Sequence, residues 1–210
     1  TWGAFASADW HFSNTLTLNI GGRYSWERKA VRIAPLGANG CDVNTLRCAT
    51  NFIDDESWKS FTPKLGLQWQ PDNQTQIYGF YTRGFRSGGY NLRNTDPGVP
   101  PGPFDQETQD SFEIGAKKQF GRSRLNIASF YNQMKNLQRE INLPGPLGVS
   151  QMSRNTADAT ITGFEAEGPF FIVPNLVLSG TVGYVYGKYR NIQFDICGDG
   201  VINDVDSDRN

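Results

Sequence analysis

The feature that most constrains this chain is a repeated unit of two alternating segments joined by a short polar turn. In residues 110–117 the apolar residues fall at every second position, and the return segment 125–131 is rich in Ile, Phe and Tyr. Between them Gly121-Arg122-Ser123 supplies turn residues. A period of two places one set of side chains on each face of a strand. The unit therefore predicts an antiparallel β-hairpin.

The same unit recurs along the whole chain and gives eight predicted strands. Their bounds are residues 2–10, 16–27, 61–70, 75–85, 110–117, 125–131, 156–168 and 176–186. In the fourth strand both faces carry aromatic residues, so its facing stays open from sequence alone. No window of helical length keeps an apolar stripe with a period of 3.6, so the sequence predicts an all-β protein.

The connections between these strands alternate strictly between short and long. The predicted short turns are Phe12-Ser13-Asn14, Pro71-Asp72-Asn73, Gly121-Arg122-Ser123 and Val173-Pro174-Asn175. The predicted long connections cover about 32–57, 86–106, 139–155 and the stretch from about 191 onward. Outer-membrane barrels have this asymmetry, because their periplasmic turns are short and their extracellular loops are long.

The two faces of the predicted strands differ as the two faces of a membrane barrel do. Each apolar stripe covers about nine to eleven residues, the span of a tilted transmembrane strand. Aromatic residues near the strand ends suit two interfacial girdles: Trp2, Trp10, Trp26, Trp69 and Tyr186. Charged residues recur on the other face, among them Arg23, Lys64, Glu113 and Glu165.

A soluble β-sandwich, such as a carbohydrate-binding or adhesin module, is the alternative that this pattern leaves open. Its polar face would also meet water, and its loops can be long at one end. Dependence on detergent separates the two classes, since a sandwich stays folded and monodisperse without it. The stripe of charges alone does not decide between them.

Composition removes several other classes of function. A formal net charge of −1 leaves no excess of basic residues for binding nucleic acid. His11 is the single histidine, so neither a histidine metal cluster nor a Ser-His-Asp triad is available, and we expect no enzyme. The chain opens within a strand and closes in an acidic stretch, which we interpret as part of a longer protein.

Four separated segments resemble the barrel region of TonB-dependent outer-membrane receptors. They are YGFYTRGFRSGGYN (78–91), FDQETQDSFEIGAK (104–117), RLNIASFYNQMKNLQ (124–138) and NTADATITGFEAE (155–167). The resemblance implies an antiparallel transmembrane β-barrel of 22 strands, of which residues 1–210 supply about eight. The N-terminal plug domain of the family and its C-terminal strands are absent from this sequence.

The resemblance also implies a location, a function and partners. Such receptors lie in the outer membrane of Gram-negative bacteria and take up scarce nutrients such as ferric siderophores. The TonB complex supplies the energy and acts through the plug domain. The expected partners are therefore membrane lipid, the TonB complex and a ferric siderophore or another nutrient.

Arginines beside a glycine-rich stretch are the candidate ligand contacts. Arg83, Arg86, Tyr90 and Arg93 surround Gly84, Gly88 and Gly89 near the end of the fourth strand. Guanidinium groups bind anionic ligands well. The alternative is that these are solvated loop charges. A second set, Glu165 and Glu167 with Arg23 and Lys64, is expected to line the lumen and face the plug.

Two cysteines lie close together in the first long connection. Cys41 and Cys48 would close a small disulfide loop on the oxidising side of the membrane. Two free thiols are the alternative. Cys197 is left without a partner in this sequence.

The acidic end of the chain follows the spacing of a twelve-residue calcium loop. The ligand positions fall on Asp195, Asp199, Val201, Asn203 and Asp206. Two positions depart from the pattern: Cys197 stands third, and Asp206 is shorter than the usual Glu. A solvated acidic loop without calcium is the alternative.

Overall fold

The computed structural model describes residues 1–33, 45, 52–92, 101–145 and 148–193, which form eight strands. The strands are β1 Trp2–His11, β2 Leu16–Ile33, β3 Phe52–Asp72, β4 Thr75–Arg86, β5 Glu107–Phe120, β6 Ser123–Gly145, β7 Gly148–Val173 and β8 Leu176–Arg190. All eight join in one antiparallel sheet in chain order. The described residues include no helix long and apolar enough to cross a membrane.

The four predicted short turns are confirmed, and local chemistry explains two of them. At the β3–β4 turn the Asp72 carboxylate accepts hydrogen bonds from the Gln74 N–H at 2.7 Å and the Thr75 hydroxyl at 2.9 Å. Asp is favoured in turns because it can bond the backbone two residues on. At the β5–β6 turn Gly121 has a φ of 58°, which glycine adopts without steric cost.

The strand register gives the sheet one apolar face and one polar face. One row of paired residues runs Ile20, Leu65, Tyr81, Phe112, Tyr131, Thr162 and Tyr186 from β2 to β8. We call this the outward face. The register also settles the fourth strand, because Tyr81 shares the outward face with Leu65 while Tyr78 lies on the other side.

The outward face is an exposed apolar belt between two sets of aromatic residues. Ile114 is 63% exposed and Leu67 is 47% exposed, although both lie in mid-strand. Aromatic residues mark the upper limit of the belt, on the side of the long connections: Trp26, Phe61, Tyr81, Phe112, Tyr131 and Tyr186. Trp10, Trp69 and Phe170 lie toward the lower limit. Such exposure of mid-strand apolar residues fits a face that contacts lipid.

The belt crosses the sheet obliquely, which reports the tilt of the strands. Its upper limit is Trp26 on β2 and Tyr186 on β8, yet the row of Tyr186 meets β2 at Ile20, six residues earlier. Six residues at about 3.3 Å, over six strand spacings of about 4.8 Å, correspond to a tilt of about 35°. Strands of outer-membrane barrels tilt by about 35–45°.

The prediction of irregular loops at 32–57 and 139–155 is wrong in part, because the strands extend beyond the belt. Residues 52–57 belong to β3 and pair with β2, so that Ile33 lies opposite Phe52. Most of 139–155 is a hairpin between β6 and β7 that reaches the pair Gly145 and Gly148. Above the belt neither strand face meets lipid, so the apolar and polar alternation of a lipid-facing strand is lost.

The buried core lies at the upper end of the inward face. Its apolar members are Val31, Trp58, Met152, Ala157 and Ala159. Ser60, Gln138 and Thr156 are buried there with them. The cysteines Cys41 and Cys48 and the predicted calcium ligands Asp195, Asp199, Val201, Asn203 and Asp206 lie outside the described residues.

The outward face should reject charge that the inward face accepts. We expect Leu67→Arg to lower the free energy of unfolding by about 2–4 kcal/mol, because its guanidinium would enter the apolar belt. The matched control is Gln68→Arg, one residue away on the inward face, which should change little. Urea unfolding of the protein folded into lipid vesicles measures both, and equal losses would contradict the assignment of faces.

Candidate functional site

The inward face collects the charged residues predicted to line a lumen. Arg23, Lys64, Glu165 and Glu167 all lie on it. The Asn126 amide donates to Glu167 Oε1 at 3.1 Å, and Arg23 Nε donates to the Ser25 hydroxyl at 3.0 Å. Arg23 and Glu167 thus bond to neutral groups, and this part of the inward face carries charges of both signs.

Lower on this face an aromatic side chain compensates for a glycine in the neighbouring strand. Tyr78 lies across from Gly115 and covers it, and a side chain at that glycine would meet the Tyr78 ring. The Tyr78 hydroxyl donates to Glu113 Oε1 at 2.8 Å. Lys117 Nζ lies 5.6 Å from the ring centroid, a cation–π distance.

The connection from β4 to β5 folds back over the upper part of the inward face. We call its described residues, 87–92 and 101–106, the inner loop. Gly89 and Phe104 exchange backbone hydrogen bonds of 3.1 and 2.9 Å, and the Asn91 N–H donates to the Pro101 carbonyl at 2.6 Å. The two arms of the loop are thus paired with each other before they contact the sheet.

Lys29 and Trp58 anchor the inner loop to β2 and β3. Lys29 Nζ donates to the Ser87 hydroxyl at 2.9 Å and to the Gly88 carbonyl at 2.6 Å. The same ammonium lies 5.4 Å from the centroid of the Trp58 ring, which is only 5% exposed. Gly88 packs so closely here that a Cβ would overlap the Phe104 carbonyl and the Trp58 indole.

Amide side chains anchor the other side of the inner loop to β6 and β7. The buried Gln138 amide donates to the carbonyls of Ser87 at 3.0 Å and Asp105 at 2.9 Å. Asn155 accepts from the Asp105 N–H at 2.7 Å and donates to the Asp105 carbonyl at 3.0 Å. Asn91 makes the same two-way contact with the Ser153 backbone, at 2.6 and 3.0 Å. The inner loop therefore bridges the sheet from β2 to β7.

Tyr90 forms the centre of an aromatic group on this loop. Its ring centroid lies 6.2 Å from those of Phe52 and Trp58, in edge-on contacts. Its hydroxyl donates to Asp54 Oδ2 at 3.1 Å. Burial and the neighbouring Asp54 carboxylate raise the pKa of Tyr90 to about 12, so the hydroxyl stays protonated and keeps donating at physiological pH.

An open cavity of about 380 Å³ lies beside the inner loop. It is lined chiefly by polar side chains, including those of Asn91, Asp105, Asn136, Arg154 and Gln193. The combination of the Phe104 ring, amides and an arginine in this lining suits a polar ligand with a flat group. The described residues hold no cluster of three metal-ligating side chains.

The structure separates the candidate ligand contacts into two faces. Arg86 ends β4 on the inward side, exposed and opposite Glu107, and Tyr90 follows it on the inner loop. Arg83 lies on the outward face, where Nε and Nη2 donate to the two oxygens of Asp110 at 2.7 and 2.8 Å. The Tyr81 hydroxyl donates to the same carboxylate at 2.7 Å. Arg93 lies outside the described residues.

The anchoring residues of the inner loop were not found from sequence. The pair Gly88 and Gly89 is visible in the sequence and indicates that the backbone packs closely against another part of the protein. No sequence pattern marks Lys29, Gln138 or Asn155 as an anchor, because an isolated polar residue on a strand or in a predicted loop is usually solvated. Their partners are backbone groups of a loop distant in sequence.

A methyl group at Gly88 should detach the inner loop. We expect Gly88→Ala to displace it from Trp58, because the atoms in the way include the Phe104 backbone. Hydrogen exchange should then rise in 87–91 and 101–105. Gly84→Ala is the matched control: its Cβ would meet the nearest atom at 3.9 Å, an ordinary contact. Unchanged exchange in the Gly88 variant would show that the packing is not needed.

Comparison with known proteins gives a family match over nearly the whole chain. The family described as TonB dependent receptor-like, beta-barrel matches residues 1–209. The pesticin receptor of Yersinia enterocolitica is 24% identical over 180 residues, which is 83% of this chain and 24% of that protein. The ferric-pyoverdine M114 receptor PbuA of Pseudomonas sp. (strain M114) is 27% identical over 204 residues, covering 96% of this chain and 23% of the receptor.

Solved structures of similar fold include an uptake receptor and a transporter. The ferric yersiniabactin uptake receptor FyuA of Yersinia pestis superposes with a TM-score of 0.70 at 19% identity, over 90% of this chain and 27% of FyuA. The copper transporter OprC gives 0.68 at 14% identity, over 89% of this chain and 28% of OprC. At these identities the likeness establishes the fold alone.

The chain spans about a quarter of the length of these relatives. Members of the matched family are receptors and not enzymes, which confirms that expectation from sequence. The oblique apolar belt and the polar inward face agree with the match. The chain therefore belongs to the β-barrel family of TonB-dependent receptors and lies in the outer membrane of Gram-negative bacteria.

Proposed function

We propose that this chain is part of an outer-membrane receptor that takes up a ferric siderophore or a similar scarce nutrient, with energy from the TonB complex. The inner loop is the observation that carries the proposal. A loop bound to β2, β3, β6 and β7 gives the mouth of a barrel a fixed surface on which a ligand can rest. The name of one relative, the ferric-pyoverdine M114 receptor PbuA, supports the same class of ligand.

The ligand contacts that we propose are Arg86, Tyr90 and Arg93. Tyr90 offers a flat face that is held by Asp54 and the neighbouring rings, so little conformational entropy is lost when a ligand stacks on it. Arg86 is exposed on the same side and can pair with an anionic group of the ligand. Arg83 is left out of the set, because Asp110 holds its guanidinium on the outward face.

The rest of the receptor would complete the transport path. We propose that residues 1–210 supply about eight strands of a single barrel domain of 22 strands, closed by strands outside this sequence. The inward charges Arg23, Lys64, Glu165 and Glu167 would then face a plug domain, through which the TonB complex acts. A soluble carbohydrate-binding or adhesin sandwich is not favoured, since it gives no reason for a belt that runs obliquely across the sheet.

Growth on defined iron sources tests the function. A strain that lacks the receptor should lose growth on at least one ferric siderophore, and the full protein should restore it. Restored growth that depends on a functional TonB complex is expected. Normal growth of the deletion strain on every iron source and glycan of the panel would contradict uptake of this class of nutrient.

Tyr90 should be needed for binding but not for assembly. We expect Tyr90→Ala to weaken ligand binding by about tenfold, the effect of roughly 1.4 kcal/mol from a lost aromatic contact. Tyr184→Ala is the control, since Tyr184 is 56% exposed on the outward face. Binding of the radiolabelled iron complex to cells with equal receptor levels measures both. Equal binding by the two variants would remove Tyr90 from the site.

A further inference from the structure

Basic residues follow the upper limit of the apolar belt on the outward face. On each of β2 to β8 we consider the two outward positions immediately above the belt. These positions hold six cations, which we call the basic collar: Arg28, Lys59, Arg83, Lys135, Lys188 and Arg190. Two carboxylates, Asp110 and Asp158, share the same positions. The described part of this level is therefore strongly basic.

The collar follows the membrane level and not the rows of the sheet. Lys59 of β3 pairs with Trp26 of β2. The row that contains Arg83 of β4 crosses β3 four residues lower than Lys59, beside the pair formed by Lys64 and Thr82. Moving from β3 to β4, the first outward cation thus descends with the belt. The six cations therefore lie at one level of the membrane although they occupy different rows of the sheet.

The opposite edge of the belt lacks such a collar. Among the described strand residues there, Lys118 is the cation that lies on the outward face. Its ammonium contacts Thr75 and is 3.4 Å from Asp72, the carboxylate in the same row. The excess of positive charge is thus confined to the side of the long connections. Attraction of anionic lipids by clustered basic residues at a membrane surface is strong enough to matter, at about 1 kcal/mol per residue.

The cations of the collar fall into two groups. Arg28 and Arg83 are fixed by carboxylates, with Arg28 Nη2 2.7 Å from Asp55 and Arg83 bound to Asp110, which is only 9% exposed. Lys59 and Lys135 are exposed and make no ion pair within the described part of the chain. Lys135 lies one outward position from Gln133, the residue opposite Asp110. An exposed lysine thus stands beside a fixed arginine.

We propose that the basic collar binds the phosphate groups of anionic lipids in the leaflet on the side of the long connections. The acyl chains of such a lipid lie against the belt, with Phe112 and Tyr131 beside them, and its phosphate reaches Arg83 and Lys135. Lysine and arginine suit this level, because their apolar stems stay along the belt while the charges reach the headgroups. The basic collar lies on the outward face, so its binding of lipid does not depend on which nutrient the receptor transports.

The test compares vesicles of phosphatidylcholine alone with vesicles that also contain phosphatidylglycerol. The protein is folded into each, and the midpoint of urea unfolding is measured at low and high salt. We expect phosphatidylglycerol to raise the midpoint at low salt and salt to remove the rise. The double variant Lys59→Gln, Lys135→Gln should lose most of the rise, with lipid association weakened about fivefold for each lysine.

Two further variants locate the effect and separate it from misfolding. Lys118→Gln removes a cation from the opposite edge and should keep the full rise. Lys59→Arg with Lys135→Arg keeps the charge and should also keep it. Arg83 is not changed, because its loss would leave the buried Asp110 carboxylate unpaired. An equal rise in wild type and the glutamine double variant, no rise in wild type, or an equal loss in Lys118→Gln would each overturn the proposal.

Discussion

The absence of water in the hydrocarbon layer is the constraint on which this structure depends. Every backbone N–H and C=O at that depth must bond within the protein, and the ladders between neighbouring strands provide those bonds for β2 to β7 and for one edge of β1 and of β8. The side chains that meet lipid must then be apolar, which is why Leu67 and Ile114 are exposed in mid-strand. The slope of the apolar belt follows from the same constraint, since tilted strands cross a flat layer at different residues.

The sequence predicts the fold only where this constraint acts. Within the belt one face meets lipid and the other water, so residues alternate and the strand pattern is visible. In 52–57 and 139–155 neither face of the strands meets lipid, so the alternation disappears and the sequence predicts loop where the structure has strand. The facing of β4 was also open, because Tyr78 and Tyr81 put aromatic rings on both sides and only pairing with β3 decides between them.

The sequence does not predict the contacts that hold the loop with the candidate ligand residues. Arginine and glycine at the end of β4 pointed to the loop that follows, and the structure brings that loop over the inward face. Its attachment depends on Lys29, Trp58, Gln138 and Asn155, which contact it across about 30 to 60 residues of sequence. Contacts of this kind follow from the register of the whole sheet. Local sequence misleads for Arg83. Its neighbours in sequence predict a ligand contact, but the alternation of side chains along β4 puts Arg83 on the outward face.

Depth measurements with spin labels on the outward face test the central claim most directly. Ile20 and Tyr186 share one row of the sheet, whereas Trp26 and Tyr186 share the upper limit of the belt. Nitroxides at the three positions, compared by collision with oxygen and with a water-soluble nickel complex, should place 26 and 186 at equal depth. Position 20 should lie roughly 16 Å deeper, as six residues on a strand tilted by about 35° require. Equal depths at 20 and 186, or water access at all three, would contradict a tilted sheet embedded in the membrane.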